Sequence, residues 1–574
     1  MTWLPPRASL FDTWKGLGLN TGHDLESGDS EGGAPLAQEK KIGSVTYQEV
    51  GDEYFQKRGL RRHAAFWSLW SLGVAAVISG DFYGWNLGLD AGGFGGLLIA
   101  TIVIAFMYYG LCFSIAEMSP ALPHTGGAYS FARSAMGPWG GFITGLAENM
   151  EYVITPAVVV GAMGFLMHDI VAGLFDVTGE PWWNSYVTWT AVFYVVFVWI
   201  NIVGIEITMR LTVAVNIIAL GILAFFFISV LVSGDFSTSL WTNIPPDPGE
   251  TSFLPHGLGG ILPAVPFAIW FFLAIEELPL AAEESMDPKR DIPRATLWGM
   301  TTLVITGALT LFLNTGVDGG AKDIGVSATP LFDGFKAVFG SGTSAELLGL
   351  IGLFGLIASF FTIIYAYGRN TYSLSRAGYF PKVLSVTSRK RRTPHVALIA
   401  GAVVGYGLSL LIYELGKSEG RFAGQIVGAL LYMAVFGAVI SYAMQCLSFI
   451  MLRRKLPNIE RPYRSPVGTW GAGIAGVIAV ISLISLYSNE DYRPGVYGTL
   501  IYFVIGILYF AIAGRHRLVL SPEEEFALTQ GEHGIPQEEG YSTSRAEQEA
   551  ILGGGAPSAS STASTQPPSE TPSA

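Results

Sequence analysis

The chain has 574 residues, of which half are hydrophobic and only 14% are charged, and its mean hydropathy is +0.44. A soluble domain carries nearer ~25% charge, so the composition excludes an ordinary soluble enzyme or nucleic-acid binder and points to a membrane protein. The formal charge of −12 identifies no partner, because many of the acids fall in the two tails and in one set of loops.

Residues 1–62 read as an N-terminal tail that is largely disordered. Met1 to Leu19 has charges and prolines but no continuous apolar stretch, which argues against a cleaved signal peptide. From about residue 20 to 41 the chain is rich in Gly, Glu and Asp and is unable to bury a core. Residues 63–515 then carry about twelve apolar segments, roughly at 64–89, 94–117, 138–173, 185–204, 211–233, 258–282, 296–317, 345–368, 395–413, 422–451, 468–487 and 495–513. Each is close to the ~20 residues that a helix needs to cross a bilayer. Residues 516–574 read as a second, largely disordered tail that ends in a Gly/Ala/Pro/Ser/Thr sequence, where the serines and threonines at 558–565 would permit phosphorylation.

Basic residues cluster before span one (Lys57, Arg58, Arg61, Arg62) and after spans six, eight and ten, whereas the opposite loops are mostly acidic. The positive-inside rule then places both termini in the cytoplasm of a multi-pass protein of the plasma membrane. Cys112 and Cys446 fall inside apolar spans and read as packing residues. The eight histidines are scattered without metal-ligand spacing, and neither H-E-x-x-H nor G-x-S-x-G occurs. Neither an enzyme nor a metal or cofactor site is expected.

Two spans are interrupted. In the first, Ile78-Ser79-Gly80-Asp81-Phe82-Tyr83-Gly84-Trp85 combines glycines with a carboxylate at mid-depth. An ionised side chain there costs at least about 2.5–3.5 kcal/mol, so it is expected to line a cavity or bind a ligand. In span six, Trp270-Phe271 is followed by Glu276, Glu277 and Pro279, and the proline should break or kink the helix. Breaks in spans one and six are what an inverted repeat of two five-helix halves would produce.

Span three adds Glu148 and Glu151, which share neighbouring parts of one helical face with Tyr152 and Thr155. With Asp81, Glu276 and Glu277 they make five deep acids, while residues 211–288 contain no Lys or Arg. Such an excess suits a cation, and Tyr83, Trp85, Tyr152, Trp270 and Phe271 could add cation–π contacts. For Glu148 and Glu277 a neutral structural role, hydrogen-bonding an unwound carbonyl, stands beside the binding role. The aromatics have ordinary packing as their alternative.

The run Glu283-Glu284-Ser285-Met286-Asp287-Pro288-Lys289-Arg290-Asp291-Ile292-Pro293-Arg294 resembles the motif that follows helix six in the amino acid–polyamine–organocation (APC) superfamily. Glu117-Met118 with Pro123, Gly126-Gly127-Ala128-Tyr129, Ala132-Arg133 and Ser375-Arg376-Ala377-Gly378-Tyr379-Phe380-Pro381-Lys382 agree with it, over about residues 60 to 515. Gly80-Asp81-Phe82-Tyr83-Gly84-Trp85-Asn86 looks most like the ethanolamine permease branch. The resemblance implies an all-α integral membrane protein of about 12 transmembrane helices. It implies a LeuT-type 5+5 inverted repeat with broken helices 1 and 6, two extra helices, and secondary transport by alternating access.

Where amino-acid-carrying members typically have Ile in the first break, this chain has Asp81. A carboxylate there would repel a substrate carboxylate and attract an amine. The expected function is import of a small cationic amine such as ethanolamine, with its ammonium between Asp81, Glu276 and nearby aromatics and its hydroxyl on Ser79 and Gly80. In the alternative, an amino acid permease, Asp81 faces away and the backbone nest still receives a carboxylate. A transporter-like solute sensor is the alternative from another class.

Some proton-coupled relatives carry a lysine in helix five, which Leu211–Ser233 lacks. Coupling therefore falls to a proton on one of Glu148, Glu151, Glu276 and Glu277, or to sodium at Ser359, Thr362 and carbonyls near Ile78. Arg133, Glu283 and Glu284 are expected to close an inner gate. The partners are the lipid bilayer and the small amine or amino acid, with no nucleic acid.

Overall fold

The computed structural model describes residues 39–50, 52–340, 343–417, 421–488, 490 and 492–534. A short hairpin, β1 (Glu39–Ile42) and β2 (Val45–Gln48), is followed by α1 (Asp52–Gln56). The first span comes next as α2 (Phe66–Val77) and α3 (Ser79–Phe82), and then α4 (Leu87–Ala121), α5 (Gly127–Phe175), α6 (Tyr186–Val203) and α7 (Ile205–Ser233). The second half opens with α8 (Ile261–Trp270) and a 3₁₀ segment, Ile275–Glu284, and continues with α9 (Pro288–Asn314), α10 (Gly320–Gly325), α11 (Pro330–Phe339) and α12 (Thr343–Arg376). It closes with α13 (His395–Gly416), α14 (Arg421–Lys455), α15 (Gly468–Ser488) and α16 (Arg493–Ile512), followed by β3 (Leu518–Val519) and α17 (Pro522–Thr529).

Among the described residues, eleven helices are long and apolar enough to cross a membrane, and Phe66–Phe82 is a shorter apolar one. Together they account for the twelve expected segments. Two long helices are each two pieces, joined at Gly93 and Gly137, where the backbone leaves helical geometry. Gly93 separates the second half of span one from span two, and Gly137 separates a short helix carrying Arg133 from span three.

Both breaks are present. The first runs from α2 through α3 to the turn at Tyr83–Asn86, and the second lies between Trp270 and Ile275, where Ala274 takes a left-handed φ of 84°. The breaks interlock. A Cβ on Gly80 would sit 2.4 Å from the Trp270 carbonyl, and one on Gly84, itself at φ 91°, 2.7 Å from the Trp270 indole nitrogen, so neither position has room for a side chain. The indole N–H donates to the Tyr83 carbonyl at 2.9 Å, joining the two unwound segments directly.

The tails correct the expected boundaries at 62 and 516. β2 pairs antiparallel with β1 and parallel with β3, in register Tyr47↔Leu518 and Gln48↔Val519, so the two tails meet at one end of the molecule. Val45, Tyr47, Leu518 and Leu520 join Tyr129, Phe142, Leu374, Tyr379 and Phe510 in a buried cluster. Apolar side chains that composition averages into a polar tail are thus part of the core. The disordered tail expected over residues 20–41 lies outside the described residues up to residue 38, and so do the serines and threonines at 558–565.

Candidate substrate and coupling site

Five elements converge on a cage of carboxyl groups. α5 presents Glu148, Glu151 and Tyr152 on one face, as their spacing predicts, and all three are buried. The 3₁₀ segment after the second break supplies Glu276 and Glu277, α12 supplies Asn370, and Tyr442 and Tyr108 come from α14 and α4. Glu276 accepts hydrogen bonds from Tyr442 at 3.0 Å and Tyr152 at 3.3 Å, and Tyr108 donates to the Tyr442 hydroxyl at 3.1 Å. Asn370 donates to Glu148 at 3.1 Å. Glu151 faces Glu276, and neither Glu151 nor Glu277 has a hydrogen-bond donor at either oxygen among the described residues. No Lys or Arg pairs with any of the four among the described residues. Four ionised carboxylates in one buried cage would repel one another strongly, so the cage is suited to take up positive charge.

Asp81 lies elsewhere. Its Oδ1 points at α9, 3.6 Å from where a Cβ on Gly307 would sit, with Thr306 and Thr310 on the same side. Neither of its oxygens is in hydrogen-bond geometry among the described residues. Asp81 and Glu276 therefore meet different neighbours, which differs from the expected clamp on one ammonium. The helical turn Ser79–Phe82 is the reason: it rotates Asp81 away from Trp270, which Gly80 faces.

The aromatics divide between packing and lining. Trp85 is buried and stacks on Phe271 at 5.5 Å between ring centroids. Phe82 packs on Gly355, where a Cβ would sit 2.4 Å from its ring. Phe82 and Tyr83 also line a largely apolar cavity with Leu166, Leu331, Phe335 and Leu356, and a second small cavity lies between Tyr83, Gly84, Trp270 and Tyr432. The lining of both cavities touches the first break and includes no carboxylate.

Ser359 serves the first break. Its hydroxyl accepts from the Ser79 N–H at 3.0 Å and donates to the Ala75 carbonyl at 2.8 Å, satisfying groups that the broken helix leaves open. Thr362 bonds the Ala358 and Ser359 carbonyls of its own helix, and the Ile78 N–H continues the ladder to Val74.

The gate residues are all buried in ion pairs. Glu284 receives Arg369 at 2.9 and 3.1 Å and also Tyr365, and its carbonyl accepts the N–H groups of His63 and Ala64. Glu283 is gripped by Arg376 at 2.5 and 2.9 Å and accepts the Thr125 N–H. Arg133 pairs with neither: it binds Glu524 at 2.7 Å. Glu117 is held by Arg453 and Arg461.

Sequence reasoning missed Tyr108, Asn370 and Tyr442 in the cage and Arg369, Glu523 and Glu524 at the tail-bearing end. Arg369 carried a usable signal as a charge one residue beyond an apolar span. The polar residues on α4, α12 and α14 carried none, because only the packing of distant helices turns them inward.

Apolar helices around a sealed polar interior, with two interlocked breaks, define a multi-pass membrane carrier. The chain belongs to the amino acid permease family, whose profile matches residues 70–517. It is 28% identical to an uncharacterized transporter of Rhizobium meliloti (strain 1021), over 69% of this chain and 81% of that one. It is 23% identical to the branched-chain amino acid permease BcaP of Bacillus subtilis (strain 168), over 80% and 95%. The fold is similar to that of MhsT, solved in complex with L-phenylalanine, with a TM-score of 0.51 and 14% identity over 78% of this chain and 99% of MhsT. That likeness supports the LeuT-type architecture.

Proposed function

We propose that the protein carries a small cationic amine, with ethanolamine as the representative substrate, across the cell membrane by alternating access coupled to protons. The observation behind this reading is the cage of Glu148, Glu151, Glu276 and Glu277, which is buried and without a paired cation among the described residues. Positive charge is what it lacks. In this reading the substrate ammonium or the coupling proton supplies that charge at Glu151 and Glu276, Tyr152 and Tyr442 orient Glu276, and the apolar cavity beside Phe82 and Tyr83 admits the solute. A proton is favoured over sodium because Ser359 and Thr362 already serve backbone groups.

One observation favours a second reading, an amino acid permease: Asp81 points at Gly307 and leaves the break free of a negative charge. The likeness to BcaP points the same way. Uptake of labelled ethanolamine into proteoliposomes, competed with choline, putrescine, alanine and leucine under imposed pH or sodium gradients, decides between them. The amine reading expects competition by amines, stimulation by a proton gradient and loss of uptake in Glu276→Gln. Competition by amino acids alone establishes the second reading.

A further inference from the structure

After α16 the chain turns back and seats Leu518–Gly534 on the end of the molecule where the tails meet. Glu523 and Glu524 are fully buried there, and Phe526 nearly so. Glu523 accepts from Arg376 at 2.6 Å and Ser373 at 2.8 Å, both on α12. Glu524 accepts from Arg133 at 2.7 Å and Tyr129 at 3.4 Å, both on the short helix before Gly137, from Tyr379 just after α12 at 2.8 Å, and from Tyr47 on β2 at 2.5 Å. Further along, the Gly534 carbonyl meets His124 at 2.7 Å and Phe526 packs edge-on against its ring. One short segment thus ties together the end of α12, the connection from α4 to span three, and the N-terminal hairpin.

Arg376 makes this more than tail packing. Its Nη2 bridges Glu523 at 2.6 Å and Glu283 at 2.5 Å, so the segment shares a guanidinium with the ion pair that joins α12 to the region after the second break. Alternating access requires that region to move away from α12 when this end opens. Arg133 adds a thermodynamic link: without Glu524 it would be a buried charge lacking its carboxylate, which is strongly unfavourable unless water enters. Release of the segment and hydration of this end therefore favour one another.

We propose that Leu518–Gly534 is an autoinhibitory strap that, when seated, holds the tail-bearing end closed and must lift for that end to open. The inference rests on the carrier reading of the fold and not on which solute is carried.

The test uses the full chain with Ser373→Cys as a reporter beneath Glu523; Cys112 and Cys446 are both buried. The rate of labelling by a hydrophilic maleimide is compared with and without E523Q/E524Q. The strap predicts at least 10-fold faster labelling, together with faster initial uptake of labelled ethanolamine or leucine, whichever the wild-type chain transports. Where the double variant fails to fold, truncation after Val519 repeats the comparison. Unchanged labelling in a folded variant overturns the proposal, and faster labelling with reduced uptake overturns it too, by making the segment a scaffold. Labelling needs no substrate, so its outcome stands apart from that of the substrate assignment.

Discussion

Two groups of buried acids occupy this molecule and have been solved in opposite ways. Glu148, Glu151, Glu276 and Glu277 sit at mid-span with tyrosine and asparagine neighbours and no cation among the described residues. Glu283, Glu284, Glu523 and Glu524 sit at the tail-bearing end, each with an arginine. Burial is the same, so it does not distinguish them; the partner does. An acid with its own guanidinium is already neutralised and can act as a clasp. An acid without one either holds a proton or is balanced by a cation that arrives, and the second is the property proposed for the carrier site.

The sharpest way to break this comparison is to remove a guanidinium from the clasps. Arg369→Met strands Glu284 with only Tyr365, and breaking a buried pair on one side costs about 3–5 kcal/mol. Thermal unfolding in detergent should show a large loss of stability that Arg369→Met/Glu284→Leu largely restores. If the single variant is as stable as the wild type, the clasp description is wrong.

The mid-span cage should respond in function before stability. Tyr152 and Tyr442 donate to different oxygens of Glu276, so Glu276→Gln keeps the shape and an acceptor for one of them while removing the site for positive charge. Uptake is expected to fall by about 10- to 100-fold, the size of a lost charge-assisted contact, with unfolding nearly unchanged. A stability loss matching that of Arg369→Met would instead make Glu276 structural.

A smaller effect concerns the second break. Ala274 is held at φ 84°, which disfavours a residue with a Cβ by roughly 1–2 kcal/mol. Ala274→Gly should raise the unfolding midpoint modestly, and a lower midpoint would remove the strain assigned to this position.

The smallest expected effect is a null one. Burial alone would raise the Glu523 carboxyl, but Arg376, with His124 nearby, overrides it and holds the group at about 2, below its ordinary 4.5. Ser373 bonds the same carboxyl, Glu283 shares its arginine, and Tyr54, Tyr129 and Tyr372 feel its charge. A depressed carboxyl contributes stability above the unfolded value and loses it as pH falls toward the folded value. Labelling at Ser373→Cys, corrected for the thiolate fraction of the free reagent reaction, should therefore be flat from pH 5 to 8. A marked rise near pH 6 would assign control of the strap to another group.

The sequence by itself determined the spans, the two breaks and the acidic face of span three. Each is a local property: some twenty apolar residues in a row, a Gly- or Pro-rich interruption, or a spacing of three and four residues on one helix. Three features were decided only by tertiary structure, namely the direction of Asp81, the closure of the cage by Tyr108, Asn370 and Tyr442, and the seating of Glu523 and Glu524 on Arg376 and Arg133. Asp81 looked like the centre of the site because its depth is legible from hydropathy, but its rotation depends on the turn at Ser79–Phe82 and on the neighbouring α9. The tail acids looked solvated because their arginines lie roughly 150 and 390 residues earlier in the chain. Long-range pairing of charges leaves no periodic trace in sequence, whereas the bilayer's demand for continuous apolar helices leaves a strong one.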